Sequence, residues 1–265
     1  MSDNHVPTPN TNPPDDNAST QPQSQEVSVE RAERLLERGE ITELQGVMLW
    51  GSNYSALVQV QDADLQTTAV YKPQQGERPL WDFPDGTLCY REVASYQMSQ
   101  ALGWQLIPPT VLREGPHGLG SLQLFVEHLP KINYFNLDDR FVSQLQQFVV
   151  FDFLTNNADR KGGHILLSPD GKLWGIDHGL TFHTLPKLRT VIWEFSGQPI
   201  AKALISDIEA LCAMITTMTS PTRQKLNSLL SKAEISALLQ RIQYIIKHKT
   251  YPEPGPGPHH PWPPV

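Results

Sequence analysis

Cysteine is nearly absent from this 265-residue chain: Cys89 and Cys212 are the only two. Two thiols cannot form a disulfide framework, and neither has a Cys or His at metal-ligand spacing, so both are expected as reduced thiols of a cytoplasmic protein. Basic residues are few, 21 Lys and Arg against 28 Asp and Glu, for a net charge of −7. No Lys/Arg cluster exists to displace counterions from a nucleic acid or to hold the chain on anionic lipid. No apolar run approaches the roughly 18 residues of a membrane span. Met1-Ser2-Asp3-Asn4-His5 has neither the positive n-region nor the apolar h-region of a signal peptide. The expectation is a soluble cytoplasmic protein with no nucleic-acid partner and no stable membrane anchor.

Proline is plentiful but unevenly placed. Twelve of the 23 prolines lie in residues 1–27 and 251–265, which carry five acids and no Lys or Arg. Residues 1–27 hold too few apolar groups to offset ordering entropy and are expected to be disordered. Residues 251–265 read as an extended, solvated, proline-rich tail, which the groove of a protein partner could also take.

Residues 28–250 are near neutral and show two periodicities. Ser28 is a candidate N-cap for a helix over 29–38 closed by Gly39. Short segments rich in β-branched and aromatic residues follow at 42–50, 55–61 and 67–71, predicting an antiparallel meander. Thr87 can cap a helix reaching Leu102 and ended by Gly103, and two strands follow near 110–113 and 121–129. Beyond that, 137–154 is helical, 165–167 and 172–176 make a hairpin, and 200–249 is mostly helix. The pattern predicts an α+β protein of two lobes, a β-rich one over 28–130 and a helical one over 131–250.

Four positions in that layout carry chemistry. Lys72 ends the third strand, its ammonium aimed off an apolar sheet; an exposed strand-end lysine fits the same pattern. Glu92 lies in the next helix at the border of a stripe of Val93, Tyr96 and Ala101, and gains interest only by pairing with Lys72. An apolar helix then gives way at Asn156-Asn157 to Ala158-Asp159-Arg160-Lys161-Gly162-Gly163-His164, a loop dense in charge, amide and glycine, where Gly162-Gly163 would let backbone approach a ligand closely. Asp159 there can take a proton from a hydroxyl. Finally Leu173-Trp174-Gly175-Ile176-Asp177-His178-Gly179 is an apolar strand ending in an acid, a setting suited to a hard divalent cation on phosphate.

Strand Lys, helix Glu, loop Asp, strand-end Asp: in this order the sequence resembles the atypical edge of the protein-kinase-like superfamily, the phosphatidylinositol 3-/4-kinase and HipA-type kinases. Asp159-Arg160 within Asn-x-Asp-Arg is similar to their catalytic loop. Asp177-His178-Gly179 lies eighteen residues later, where their metal-binding Asp-x-Gly lies. The resemblance implies a two-lobed kinase-like fold in a bacterial protein, with ATP and Mg²⁺ or Mn²⁺ as cofactors and an unidentified hydroxyl acceptor (protein, small polyol or lipid headgroup). Lys72 would meet the α/β-phosphates and Glu92 would hold it. Gly51-Ser52-Asn53-Tyr54-Ser55 would arch over the phosphates through backbone N–H groups and the Ser52 and Ser55 hydroxyls. Backbone from Glu127 to Leu129 would face the adenine. Asp159 would orient or deprotonate the acceptor, Lys161 would stabilise the moving phosphoryl charge, and Asp177 would be the principal metal ligand. His164 stands where a second ligand, usually Asn, is placed. Imidazole suits Mg²⁺ poorly, which favours Mn²⁺, or makes His164 a cationic contact to phosphate with Asn157 as a substitute ligand. Residues 181–199, with Trp193 and Phe195, read either as an acceptor wall or as core. A nucleotide-binding pseudokinase with a scaffold role stays open as an alternative, as does a metal hydrolase built on Asp152, Asp159, His164 and Asp177.

Overall fold

A computed structural model describes residues 27–48 and 54–265. The expectations for 1–26 and for Gly51, Ser52 and Asn53 lie outside the described residues. Helix α1 (Val29–Arg38) starts at Ser28, whose hydroxyl accepts from the Arg31 N–H, and buries Ala32, Leu35 and Leu36 on the sheet. Its last carbonyls are satisfied by a distant side chain: Arg113 donates to Leu36 O at 2.8 Å and Gly39 O at 2.9 Å. Gly39 is extended rather than left-handed, with φ −61°. The glycine is needed for space, because a Cβ there would stand 2.6 Å from Leu35 O.

The strands β1 (Glu40–Met48), β2 (Ser55–Gln61), β3 (Gln66–Pro73), β4 (Thr110–Gly115) and β5 (Gly118–Leu124) form one antiparallel sheet in the order β1-β2-β3-β5-β4. Alternation along β3 sends Ala69 and Tyr71 into the core shared with α1 and leaves Lys72 on the opposite face. β1 begins two residues earlier than the sequence pattern suggests, and β5 stops at Leu124 rather than 129. Beyond it Phe125 N–H still donates to Thr68 O, and then Leu129 N–H reaches Leu167 O of the other lobe. Residues 125–130 are thus the connection between lobes.

Helix α2 (Leu88–Ala101) lies between the sheet and the helical half, so it is buried on nearly every side, not along a single stripe. Thr87 does not cap it. Its hydroxyl donates to Pro84 O, and the Glu77 carboxylate accepts from the Leu88 and Cys89 N–H groups at 3.0 and 2.8 Å. The second lobe contains α3 (Val142–Thr155), the hairpin β6 (Ile165–Leu167) and β7 (Leu173–Gly175), and helices α4 (Lys202–Thr216), α5 (Pro221–Leu229) and α6 (Lys232–His248). Two 3₁₀ turns capped by Asn133 and Asp138 precede α3, which is why it starts five residues later than expected. Phe195 joins the large core around Phe148, Phe151 and Ile208. Among the described residues no single helix is long and apolar enough to cross a membrane.

The C-terminal segment corrects the expectation of a solvated tail. Tyr251 is 1% exposed and Pro261 is buried. His259 O accepts from Thr190 N–H and from the Trp193 indole, both at 3.1 Å, and Pro264 O accepts from Gly162 N–H at 2.8 Å. A proline-rich backbone brings carbonyls without N–H groups of its own to satisfy, so it suits loops whose N–H groups lack partners.

Candidate active site

The lobes meet at an ammonium. Lys72 Nζ, at the end of β3, lies 2.5 Å from Glu92 Oε1 on α2 and 2.9 Å from Asp177 Oδ1, just beyond β7. Glu92 is 3% exposed and spends its other oxygen on the His178 N–H at 2.9 Å. It therefore ties the lysine to the segment that carries Asp177. Its neighbour Arg91 faces the other way, donating to Thr181 O at 2.6 Å and pairing with Glu234 at the start of α6. Adjacent residues of α2 thus lock the helix to the site on one side and to the second lobe on the other. Burial works against the Lys72 charge, but Asp177 and Glu92 outweigh it and hold its pKa above the ordinary lysine value. Lys72 in turn holds Asp177 well below the usual carboxylate range. Asp177 has a left-handed backbone, φ 59°, which Asp adopts more readily than most residues.

The loop after α3 supplies the second acid. Asn156 ends the helix in the left-handed conformation, φ 53°, and its amide donates to His183 O and Leu185 O. Asn157 Oδ1 accepts from Asp159 N–H at 3.0 Å while its amide donates to Asp152 at 3.0 Å. Both ends of that side chain shape the loop, and Asn157 is 1% exposed. Lys161 Nζ stands 3.5 Å from Asp159 Oδ2. Burial pushes the Asp159 pKa up to about 6, Lys161 pulls it back, and the charge of Asp177 adds to the rise. The two acids therefore share one crevice.

His164 projects into the same crevice, its Nε2 3.4 Å from Asp177 Oδ2. Its Nδ1 is 2.9 Å from Asp159 O and 3.5 Å from Lys161 N. A carbonyl can only accept, so the shorter contact places the proton on Nδ1 and leaves Nε2 bare. Burial lowers the His164 pKa to about 4, so the ring is neutral. A bare imidazole nitrogen and a carboxylate oxygen facing each other at that distance are two donors lacking a cation between them. They fit a divalent metal that takes its remaining ligands from phosphate and water, with imidazole favouring Mn²⁺. Among the described residues no group of three or more His, Cys, Asp and Glu could hold a metal by itself. Of the four residues that the hydrolase reading needs, Asp152 is committed elsewhere.

The commitment of Asp152 is what the sequence reading missed. Arg160 and Asp152 are both 0% exposed. Arg160 Nε and Nη2 bind Asp152 at 2.8 to 3.1 Å, Nη2 also meets His178 Nε2 at 2.6 Å, and Nη1 reaches His164 O and Ile176 O at 3.3 Å. All five guanidinium donors are used. Burial holds the His178 pKa well below the ordinary histidine value, so its ring is neutral and accepts. One side chain thereby fastens the end of α3, the loop of Asp159 and the turn of Asp177 at fixed separations. The detectable signal was a carboxylate inside the apolar run Phe151-Asp152-Phe153, which has to be paired once buried.

Other expected residues fare unevenly. Gly162 does not offer its backbone to a ligand: a Cβ there would meet the Phe135 ring at 2.7 Å, and its N–H is taken by Pro264 O. Gly163 faces open space. Ser55 opens β2. Leu129 N–H is spent on Leu167 O, so of the expected adenine-facing stretch the backbone donors without a partner among the described residues are those of Glu127 and His128.

The comparisons with known proteins agree with this layout. A family model for phosphatidylinositol 3- and 4-kinases matches residues 95–232, which takes in Asp159 and Asp177 but begins after Lys72 and Glu92. Protein Rv2133c of Mycobacterium tuberculosis is 38% identical over 86% of this chain and 94% of its own. Phosphatidylinositol 4-kinase gamma 4 of Oryza sativa is 33% identical over 34% of this chain and 19% of its own length. The crystal structure of the Golgi casein kinase with Mn/ADP bound superposes with a TM-score of 0.53 at 13% identity, covering 83% of this chain and 75% of that one. At that identity it shows the fold, a two-lobed kinase-like one.

Proposed function

Because the chain belongs to the phosphatidylinositol 3- and 4-kinase family, we propose that it moves the γ-phosphoryl group of ATP to a hydroxyl acceptor. The observation that carries this reading is the Lys72 ammonium held between Glu92 and Asp177 at the junction of the lobes. Glu92 fixes the lysine so that its remaining donors can meet phosphate oxygens, as a point charge does well. A divalent metal held by Asp177 and His164 would neutralise charge on the phosphates. Asp159 accepts the proton of the acceptor hydroxyl as its oxygen bonds to the γ-phosphorus, while the bond to the β–γ bridging oxygen breaks and ADP leaves with that electron pair. Lys161, beside Asp159, faces the charge on the transferring group. Glu127 and His128 offer backbone N–H groups to the base.

The test is a thermal-shift titration with ATP, with and without Mn²⁺, followed by ADP release. ATP should stabilise the protein in a metal-dependent way, and Lys72→Met should weaken ATP binding by at least about tenfold, the scale of a charge-assisted contact. Metal-dependent binding with no turnover against any acceptor would select the pseudokinase reading instead.

A further inference from the structure

Beside Asp159 the fold leaves a cleft of about 560 Å³, a volume in the range of small-molecule sites. Besides the loop of Ala158, Asp159 and Lys161 and the nearby Leu180, three parts of the chain build it: residues 80–83 before α2, the loop segment carrying Lys187 and Arg189, and the docked C-terminal segment 258–262. Its charges are paired with one exception. Lys187 Nζ is bound to Asp82 at 2.6 Å and Lys161 stands at Asp159. Arg189 makes no side-chain hydrogen bond or ion pair among the described residues, and its Nε is shut off from solvent without a partner. Its Nη groups are not shut off in this way, and they are the donors that a ligand in the cleft can meet. Two indoles, Trp81 and Trp262, are also walls of the cleft, and they are 94% and 89% exposed. Large aromatic faces left in water at a cleft mark a contact surface.

We propose that this cleft is the acceptor site for a small, soluble polyhydroxy compound bearing one phosphate or carboxylate, with Arg189 as its anion-binding residue. The inference rests on the kinase reading and names the substrate class for it. The acceptor hydroxyl lies at Asp159, the anion at Arg189, and the C–H face of the sugar or polyol against an indole. A cleft of that volume suits a compact acceptor. A membrane headgroup is disfavoured because the C-terminal wall, residues 258–262, carries no Lys or Arg to meet anionic lipid.

The test fills the nucleotide site first, with Mn²⁺ and a non-hydrolysable ATP analogue, so that added anions cannot occupy it. Calorimetry then compares a panel of phosphorylated and carboxylated sugars and polyols with their neutral parents, with inorganic phosphate as the minimal probe. At least one anionic compound should bind tenfold or more tightly than its parent. Arg189→Gln should erase that preference while leaving ATP affinity within twofold, and Trp262→Ala should weaken anionic and neutral members alike. Equal affinity for charged and neutral members, an unchanged preference in Arg189→Gln, or binding only to phosphatidylinositol vesicles or an acidic peptide would overturn the proposal. If ATP itself fails to bind, the kinase reading falls; if ATP binds and no anionic polyol does, only the acceptor assignment falls.

Discussion

Two charge networks meet at the peptide bond between Asp177 and His178, and they obey opposite rules. Lys72, Glu92 and Asp177 form an open one, with the Asp177 side chain 51% exposed and the lysine 22%. Asp152, Arg160 and His178 form a closed one at 0% exposure. In the closed network every guanidinium donor has an acceptor, so no room is left for a ligand. In the open one the ammonium shares two carboxylates drawn from different lobes, and one of them faces solvent. Water and phosphate can replace a partly exposed anion at little cost, whereas an ion taken out of water cannot exchange partners. The difference separates a part that meets ligand from a part that sets distances.

Removing one partner from each network should give unlike results. Asp152→Ala leaves the Arg160 cation buried against a void, so stability should fall by about 3–5 kcal/mol, or roughly 10 °C in Tm for a domain of this size. Calorimetry or circular dichroism reads it, and a Tm within two degrees of wild type would break the distinction. Asp177→Asn should do the reverse. Asn tolerates the left-handed backbone at this position and retains an oxygen for Lys72, so Tm should hold. ADP release should fall by about 100-fold or more, the scale of losing a preorganised charge at a phosphoryl group. Loss of stability with retained turnover would reject the placement of Asp177 in the open network.

Much of the open network was legible in the sequence because it lies where elements end. A lysine closing an apolar strand, an acid closing another and an acid in a polar loop after an apolar helix each break a local pattern. Glu92 was legible only through its position between them, since α2 is buried all round and shows no stripe. The closed network was harder to read, because Arg160 looks like one more loop charge until the distance to Asp152 is known. The C-terminal segment was misread for a related reason. Its composition forbids a core of its own, but composition is silent about carbonyls that serve another element's N–H groups. Gly162 was read as freedom for a ligand when it is packing room for Phe135. In each case the missing information was a partner far away in sequence.

His164 belongs to both networks and so offers the finest test between them. Its ring faces Asp177 in the open one, while its carbonyl accepts from Arg160 in the closed one. A substitution alters only the first. His164→Asn should therefore keep the carbonyl contacts to Arg160 and to the Ile176 N–H. It loses the single hydrogen bond from Nδ1 to Asp159 O, worth about 1 kcal/mol. What should change is metal choice: an amide oxygen in place of imidazole nitrogen suits Mg²⁺ better, and the ratio of ADP release in Mg²⁺ to that in Mn²⁺ should rise by about tenfold, or ~1.4 kcal/mol. An unchanged ratio would show that the ring does not reach the metal and that Asp177 holds it alone. A large fall in Tm would show that the ring supports the buried cluster, and the boundary drawn at the Asp177–His178 bond would then have to move.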